Sequence, residues 1–440
     1  VTVSGNASDP AIVEVAGLER HPDSEDHGHT HGVPRFQPKV LVLSHALPPS
    51  PSGQATVLYR LLGGVEPDSY CLVSGTKNDF GSLPGDPAQR LLGRHWTMEP
   101  VPQLRDFSSP IVARIASLAN HLLRVVLGAR QLRRIADEEG CETVLACTGD
   151  PFDLPVACLA SRLSRMNLYL YYFDYYSEQW AGTQYHRFAE RVEGGIVRRA
   201  DGIFVPNEGM QEELADRYGV SSKIVRNPVD TRRAGEMRAF WPTQSTEIRI
   251  VYTGSIYRAQ ADAFKTLLRS LSILTHLNVR LHLYTAQTGE DLRRQSIVGP
   301  FVLHPHASPS EIEIVQAEAD LLYLPLSFDR GMAKVIDTSS PGKMGEYLAS
   351  GRPILVHAPP SSFVNRYFRE HGCGVVVDQD DRAELARAIE RLIGDEELRT
   401  TIVGRALETS RIEFSPDSGR RALLDSLNSQ GSNHATDSDN

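Results

Sequence analysis

Residues 339–358 read SSPGKMGEYLASGRPILVHA. The stretch spells out a short helix running into a strand. Ser340 is a good N-cap, and Pro341 fits the first helical position, where a missing N–H costs nothing. Gly351 follows the apolar end as a left-handed C-cap, and Pro353 prevents continuation. The segment PILVHA (353–358) then has the near-continuous apolar character of a buried parallel strand. A helix feeding directly into such a strand is the βαβ pattern, so the neighbouring sequence should repeat it.

It does so in two series. In the first, KVLVLSH (39–45), TVLAC (143–147), LYLYYF (168–173) and GIFVP (202–206) are expected strands. Helical spacing fills 111–136, 153–164 and 185–200. In the second, EIRIVYTG (247–254), VRLHLYT (279–285), DLLYLP (320–325), PILVHA and GVVVD (374–378) are expected strands. Helices are expected over 262–275, 309–318, 341–350 and 381–393. Two successive βαβ series predict two doubly wound, Rossmann-like parallel-sheet domains. In such sheets ligands sit at the carboxyl ends of the strands, so the site belongs in the cleft between the domains. The expected division is a disordered tail at 1–38, a first domain at 39–228, a linker at 229–246 and a second domain at 247–412. A helix at 413–428 crosses back, and a second tail follows at 429–440.

The chain has 440 residues and a net charge of −9, but the tails carry much of that charge. Residues 1–38 contribute −4 and residues 429–440 contribute −2, leaving −3 for the body. A nearly neutral body gives nucleic-acid binding no support. The tail residues His27, His29 and His31 fit either a metal or, more simply, solvated polar chain. The five cysteines are scattered, with no C-x-x-C pair, which favours reduced thiols in a cytoplasmic setting. The first residues, VTVSGNASDP, lack the basic and apolar regions of a signal peptide. No stretch is expected to span a membrane.

The start of the 341–350 helix is chemically odd. Gly342 leaves the backbone bare to close approach. Lys343 adds a cation where the helix dipole is already positive. A bound phosphate would resolve that conflict; a solvated lysine on an exposed turn is the plainer alternative. Glu346 lies one turn further on. Its carboxylate can accept two hydroxyl hydrogen bonds, as from the vicinal diol of a ribose, or can pair with Lys343.

SSPGKMGEYLASGRPILVHA resembles the signature of the family 4 glycosyltransferases, whose fold is GT-B. Other pieces agree in order: PPSPSGQATVLYRLL (48–62), IVRNPVD (224–230), YTGSIY (252–257), ADLLYLP (319–325), GVVVDQDDRAELARAIERLIGDEELR (374–399) and FSPDSGRRALLDSL (414–427). The resemblance covers about residues 38–428 and is stronger in the second domain. It implies transfer from a nucleotide-sugar donor with retention at the anomeric carbon. It implies Glu346 on the donor ribose, with Lys343 and the backbone near Gly342 and Met344 on the diphosphate. Gly53 in the first loop would approach the same phosphates, Ser255 would lie at the second-domain strand end, and His306 would flank the base. Arg258 and Asp174 complete the expected set, Arg258 on the phosphates and Asp174 as sugar contact or acid/base. Asp174 is equally well read as an exposed strand-end carboxylate.

The chain also departs from the family pattern. Eight residues before Glu346, where the family often has a second glutamate, stands Thr338. The usual loop lysine is missing near Asp262, with Lys265 displaced onto the helix. A departing diphosphate needs positive charge. An Asp-x-Asp triplet, the metal-binding mark of the other common transferase fold, occurs in the tail as Asp437-Ser-Asp439. Fixed cations are therefore expected in place of a metal, and no cofactor is expected. Residues 104–134 carry six arginines, among them Arg105 and Arg114, beside Asp106 and a run of apolar residues. This leaves a peripheral membrane contact as a secondary expectation beside a plain solvated face. The expected acceptor is a glycan, glycolipid or polysaccharide precursor. A nucleotide-sugar epimerase and a non-catalytic nucleotide-sugar-binding protein are the alternatives.

Overall fold

Short strands of two to six residues, most of them apolar, form two separate parallel sheets. The structure, a computed structural model, describes residues 32–50, 52–75, 89–104, 109–230, 247–305 and 307–429. In the first sheet β1 (Val40–Leu43), β2 (Tyr70–Ser74), β3 (Arg94–Thr97), β4 (Thr143–Cys147), β5 (Asn167–Tyr171), β6 (Gly202–Val205) and β7 (Lys223–Ile224) lie in the order 3-2-1-4-5-6-7. Its helices are α1 (Gly53–Leu62), α2 (Pro110–Glu139), α3 (Asp153–Ser164), α4 (His186–Val197) and α5 (Glu208–Tyr218).

The second sheet holds β8 (Ile248–Thr253), β9 (Val279–Tyr284), β10 (Phe301–His304), β11 (Leu321–Pro325), β12 (Ile354–His357) and β13 (Val375–Val377), in the order 10-9-8-11-12-13. Its helices are α6 (Ala261–Leu271), α7 (Gly289–Arg294), α8 (Pro309–Ala317), α9 (Ala333–Asp337), α10 (Lys343–Ala349), α11 (Phe363–His371), α12 (Arg382–Gly394), α13 (Glu396–Glu413) and α14 (Pro416–Asn428). Strands β1, β4, β11 and β12 are buried throughout, as sheets covered on both faces require. Strand order reverses between β1 and β4 in one sheet and between β8 and β11 in the other. Those two points are where crevices open at the carboxyl ends.

Several expectations from the sequence are corrected. Residues 33–38 belong to the fold: Phe36 is buried in the first-domain core and the Gln37 N–H donates to Asn428. Val229, at the start of the expected linker, is buried in the second-domain core, and its N–H donates to Phe414 O at 2.8 Å. Residues 231–246, the histidines at 27, 29 and 31, and His306 lie outside the described residues, as do Arg105 and Asp106. Helix α10 starts at Lys343, later than Ser340 and Pro341 suggested, and Gly351 has the left-handed φ of +71° that ends it. By length and composition α2 could cross a membrane, against the expectation that no stretch approaches this.

The two domains are joined by a charged knot. Arg226 donates to Glu208 on α5 and to Glu413 at the end of α13, and its guanidinium lies 4.8 Å from the Tyr367 ring centre. Nearby, Asn207 donates to Thr338 O at 2.9 Å. At Gly209 a Cβ would stand 2.6 Å from Asp337 O, so the domains approach more closely there than a side chain allows. Helix α14 then returns to the first domain, where Leu423 and Leu427 enter its core. Arg226→Ala would take this partner from Glu208 and leave Glu413 with Tyr367 and His371 alone, and is expected to cost roughly 2–3 kcal/mol, read as a lower denaturation midpoint. An unchanged midpoint would show that the knot does not hold the domains.

Candidate active site

The strand-order reversal between β8 and β11 brings the loop after β8 beside α10. Gly254 ends β8 with φ +101°, a conformation that excludes ordinary side chains. A Cβ there would lie 3.5 Å from Lys343 Nζ, so the loop backbone passes close to the lysine. The Lys343 ammonium donates to the Tyr252 hydroxyl at 2.7 Å and lies 4.1 Å from the Tyr252 ring centre. That hydroxyl in turn donates to Ser255 O at 2.8 Å. Tyr252 is fixed by edge-on packing against Phe264, which packs the same way on Tyr323.

Among the described residues, no carboxylate lies within 4 Å of the Lys343 ammonium. The side chain keeps part of its surface open, yet protein crowds round the charge. Burial lowers its pKa to about 8, against a smaller raising effect of Glu346. The i, i+3 pair that Lys343 and Glu346 could have formed is thus not made.

Glu346 is held from two other directions. Oε1 accepts from Arg60 on α1 at 3.3 Å, and Oε2 accepts from Gln316 on α8 at 3.3 Å. Gln316 also donates to Thr253 Oγ1 at 3.1 Å, while Arg60 donates to Pro228 O at 2.9 Å. The Thr253 N–H donates to the Tyr347 hydroxyl, which ties α10 to the end of β8. With both partners part-exposed, the Arg60–Glu346 pair is worth about 0.5–1 kcal/mol. It orients the carboxylate while leaving lone pairs for a ligand.

The other expected residues fall into three groups. Gly342 and Gly53 stand at the starts of α10 and α1, each with open space where a Cβ would be. Ser255 and Arg258 lie in the loop after β8. Arg258 is exposed and pairs with Asp329 in the loop after β11 at 3.1 Å. Asp174 sits in the loop after β5, which reaches the second domain through Glu178 and Lys334 at 3.2 Å. It is open to water, and the protein around it pushes its carboxyl pKa up.

Met344 is a correction: its side chain is fully buried in the second-domain core and its N–H donates to Pro341 O. Neither can meet a ligand here. Helix α10 has only 7 residues, so the Lys343 side chain, more than the helix dipole, supplies the positive charge.

Thr338 is buried, donates to Lys334 O and accepts from Asn207, so its position faces the domain junction. The expectation that the tail triplet is the one clean Asp-x-Asp is corrected: Asp378-Gln379-Asp380 follows β13. Arg369 pairs with Asp378 at 2.7 Å and the Thr266 hydroxyl donates to Asp380. Sequence reasoning missed Arg60, Gln316 and Tyr252. Arg60 lies within the quoted PPSPSGQATVLYRLL stretch and Tyr252 opens YTGSIY, while no local pattern marks Gln316.

The depressed Lys343 pKa makes a pH-dependent expectation. Below about 8 the lysine is charged in both folded and unfolded chains, and the full cost of enclosing it falls on the fold. As pH rises from about 8 towards the ordinary 10.5, the folded chain has lost its proton first and the cost disappears. Lys343→Met is therefore expected to raise stability by roughly 1–2 kcal/mol at pH 7. That gain should shrink to nothing by the upper end of the window in denaturant titrations. A destabilised variant at pH 7 would contradict the strained cation.

Two family models match the chain. "Glycosyltransferase Family 4" covers residues 95–233 and "Glycosyl transferases group 1" covers 247–395, so the first falls on the first sheet and the second on the other. A comparison with curated protein sequences gives no significant match. Among solved structures, the fold is similar to HepE of Anabaena in complex with UDP, at 15% identity and TM-score 0.60, over 88% of this chain and 99% of that one. It is similar to sucrose-phosphate synthase of Thermosynechococcus elongatus, at 12% identity and TM-score 0.62, over 90% and 100%. It is also similar to a UDP-forming trehalose-phosphate synthase of Burkholderia vietnamiensis, at 12% identity and TM-score 0.64, over 90% and 99%. With matching models on both sheets and the paired doubly wound architecture, the chain is a family 4-like glycosyltransferase of the GT-B fold.

Proposed function

We propose that the protein moves a sugar from a UDP-sugar donor, with retention and without a metal ion, to a glycan, glycolipid or polysaccharide-precursor acceptor. The observation that carries the donor reading is a cation, Lys343, with no carboxylate within 4 Å among the described residues, and an oriented carboxylate, Glu346, one helical turn away. A nucleoside diphosphate offers both complements. Its ribose diol donates to Glu346 and its phosphates neutralise Lys343, with Gly342 and Gly53 leaving room for the backbone to approach. As the glycosidic bond breaks, charge grows on the diphosphate, and the cation already in place stabilises it. Arg258 can add to this by leaving Asp329, since an exposed pair of this kind is weak.

Uridine is the favoured base because HepE was solved with UDP and the trehalose-phosphate synthase is described as UDP-forming. Retention rests on the family resemblance. Asp174, on the first-domain side, is proposed to contact the transferred sugar or the acceptor hydroxyl. Desolvation raises its carboxyl pKa, so it holds a proton more readily than an ordinary aspartate would.

The test is a comparison of nucleotides and one variant. UDP is expected to raise the melting temperature more than GDP, ADP or dTDP. Glu346→Ala is expected to lower kcat/KM by roughly 10²-fold or more with the fold intact, because two charge-assisted hydrogen bonds to the ribose are lost. A chelator should leave turnover unchanged. A chain indifferent to all four nucleotides, or fully active without Glu346, would refute the reading.

A further inference from the structure

The amino-terminal side of the first sheet holds two thiols in contact. All five cysteines are free and buried. Cys71 on β2 and Cys141 in the turn between α2 and β4 have their Sγ atoms 3.7 Å apart, across 70 residues of chain. Among the described residues, neither Cys147, Cys158 nor Cys373 has another thiol at hydrogen-bonding distance. Two thiols in a core can be there simply as small apolar groups. The surroundings of this pair go further than that.

Both backbones are fixed. Cys71 lies opposite Leu41 of β1 on one side and Arg94 of β3 on the other. Gly140 turns the chain out of α2 with φ +65°, and the Cys141 N–H donates to Ala136 O at 2.9 Å. The Glu142 N–H then donates to Lys39 O at 3.3 Å. Charge stands alongside. Lys39 pairs with Glu139 at 2.9 Å, and Glu139 also pairs with Arg94 at 3.1 Å and accepts from Trp96 at 2.8 Å. Two cations against one carboxylate favour thiolate over thiol. The hydrogen bond with Cys71, and after it Lys39, lower the Cys141 pKa. The same bond, and after it burial, raise that of Cys71. Cys141 keeps 7% of its surface open and Cys71 none, so the sulfur that ionises first is also the one nearer solvent.

We propose that Cys71 and Cys141 are an oxidisable pair, which a hydroperoxide converts into a disulfide that clamps β2 to the turn between α2 and β4. The Cys141 thiolate attacks one peroxide oxygen, the O–O bond breaks, and hydroxide leaves and takes up the proton that the thiol released. The product is a sulfenic acid on Cys141. The Cys71 sulfur then attacks the Cys141 sulfur, the S–O bond breaks, and the oxygen leaves as water with the Cys71 proton. Two thiols are oxidised and one peroxide is reduced to two waters. The sulfurs close from 3.7 Å to about 2 Å in the second step. The new bond closes a loop that contains α2, which constrains the unfolded chain. This does not rest on the donor reading, since neither cysteine belongs to the site around Lys343.

The experiment treats the full, reduced chain with a small excess of hydrogen peroxide, counts thiols after denaturation and maps peptides without reductant. Five thiols are expected to fall to three, with the Cys71 and Cys141 peptides joined. The melting temperature should rise by roughly 5 °C or more, and dithiothreitol should reverse the rise. Cys71→Ser should stop at a sulfenic acid on Cys141, caught by dimedone, with no gain in melting temperature. Cys158→Ser should cross-link as the wild type does. Five surviving thiols, or a disulfide between any other pair or between two chains, would overturn the proposal. So would a cross-link that leaves the melting temperature unchanged, or a dimedone adduct of Cys71→Ser on a cysteine other than Cys141.

Discussion

A lysine ammonium crowded by protein, with no carboxylate among the described residues within 4 Å, is unfavourable, and the second-domain site is arranged round one. Tyr252 gives Lys343 an oxygen and a ring face, and Gly254 brings loop backbone beside it, but neither supplies negative charge. The strain is local and the supports are not. Tyr252 is locked by Phe264 and Tyr323, and α10 is tied to β8 through Tyr347 and Thr253. The cation therefore cannot relax by moving the helix. On the proposed function a diphosphate would relieve the strain directly and convert a cost in the free protein into affinity in the complex.

Glu346 shows how the two domains share one site. Its carboxylate takes one hydrogen bond from Gln316 in its own domain and one from Arg60 on α1 of the other. The same arginine reaches Pro228 O, beside the Arg226 knot where the chain passes between domains. Any change in the angle between the sheets would be felt at Glu346 through Arg60. The knot fixes that angle, so the geometry of the carboxylate depends on charges well outside the cleft.

The sheet architecture was legible because buried parallel strands are continuous apolar runs, and the βαβ order follows from their alternation with helical spacing. Four strands escaped. β3 carries arginine, histidine and exposed positions, β7 has two residues and β10 leaves Leu303 exposed, whereas β2, five buried residues long, has the same apolar character as β1 and was passed over. At the site, Lys343 and Glu346 were readable because helix-end chemistry is local in sequence. Arg60 and Gln316 were not, since their roles depend on contacts across 286 and 30 residues that no spacing encodes. Met344 was misplaced for a related reason: beside two glycines and a lysine it looked like part of a ligand loop, yet its position on the helix turns it into the core. Thr338 gained meaning only from the junction it caps. The missing family glutamate is not replaced there by another ligand but by a contact between domains.

The central claim is that Lys343 is the positive charge awaiting the donor's diphosphate. Calorimetry of UDP binding at pH 8, in buffers of different ionisation enthalpy, measures it directly. A free ammonium with a pKa of about 8 is half protonated there, and a diphosphate beside it restores the full charge. The account predicts uptake of about half a proton per UDP bound by the wild type and none by Lys343→Met. Equal uptake by both proteins, or none by either, would contradict it.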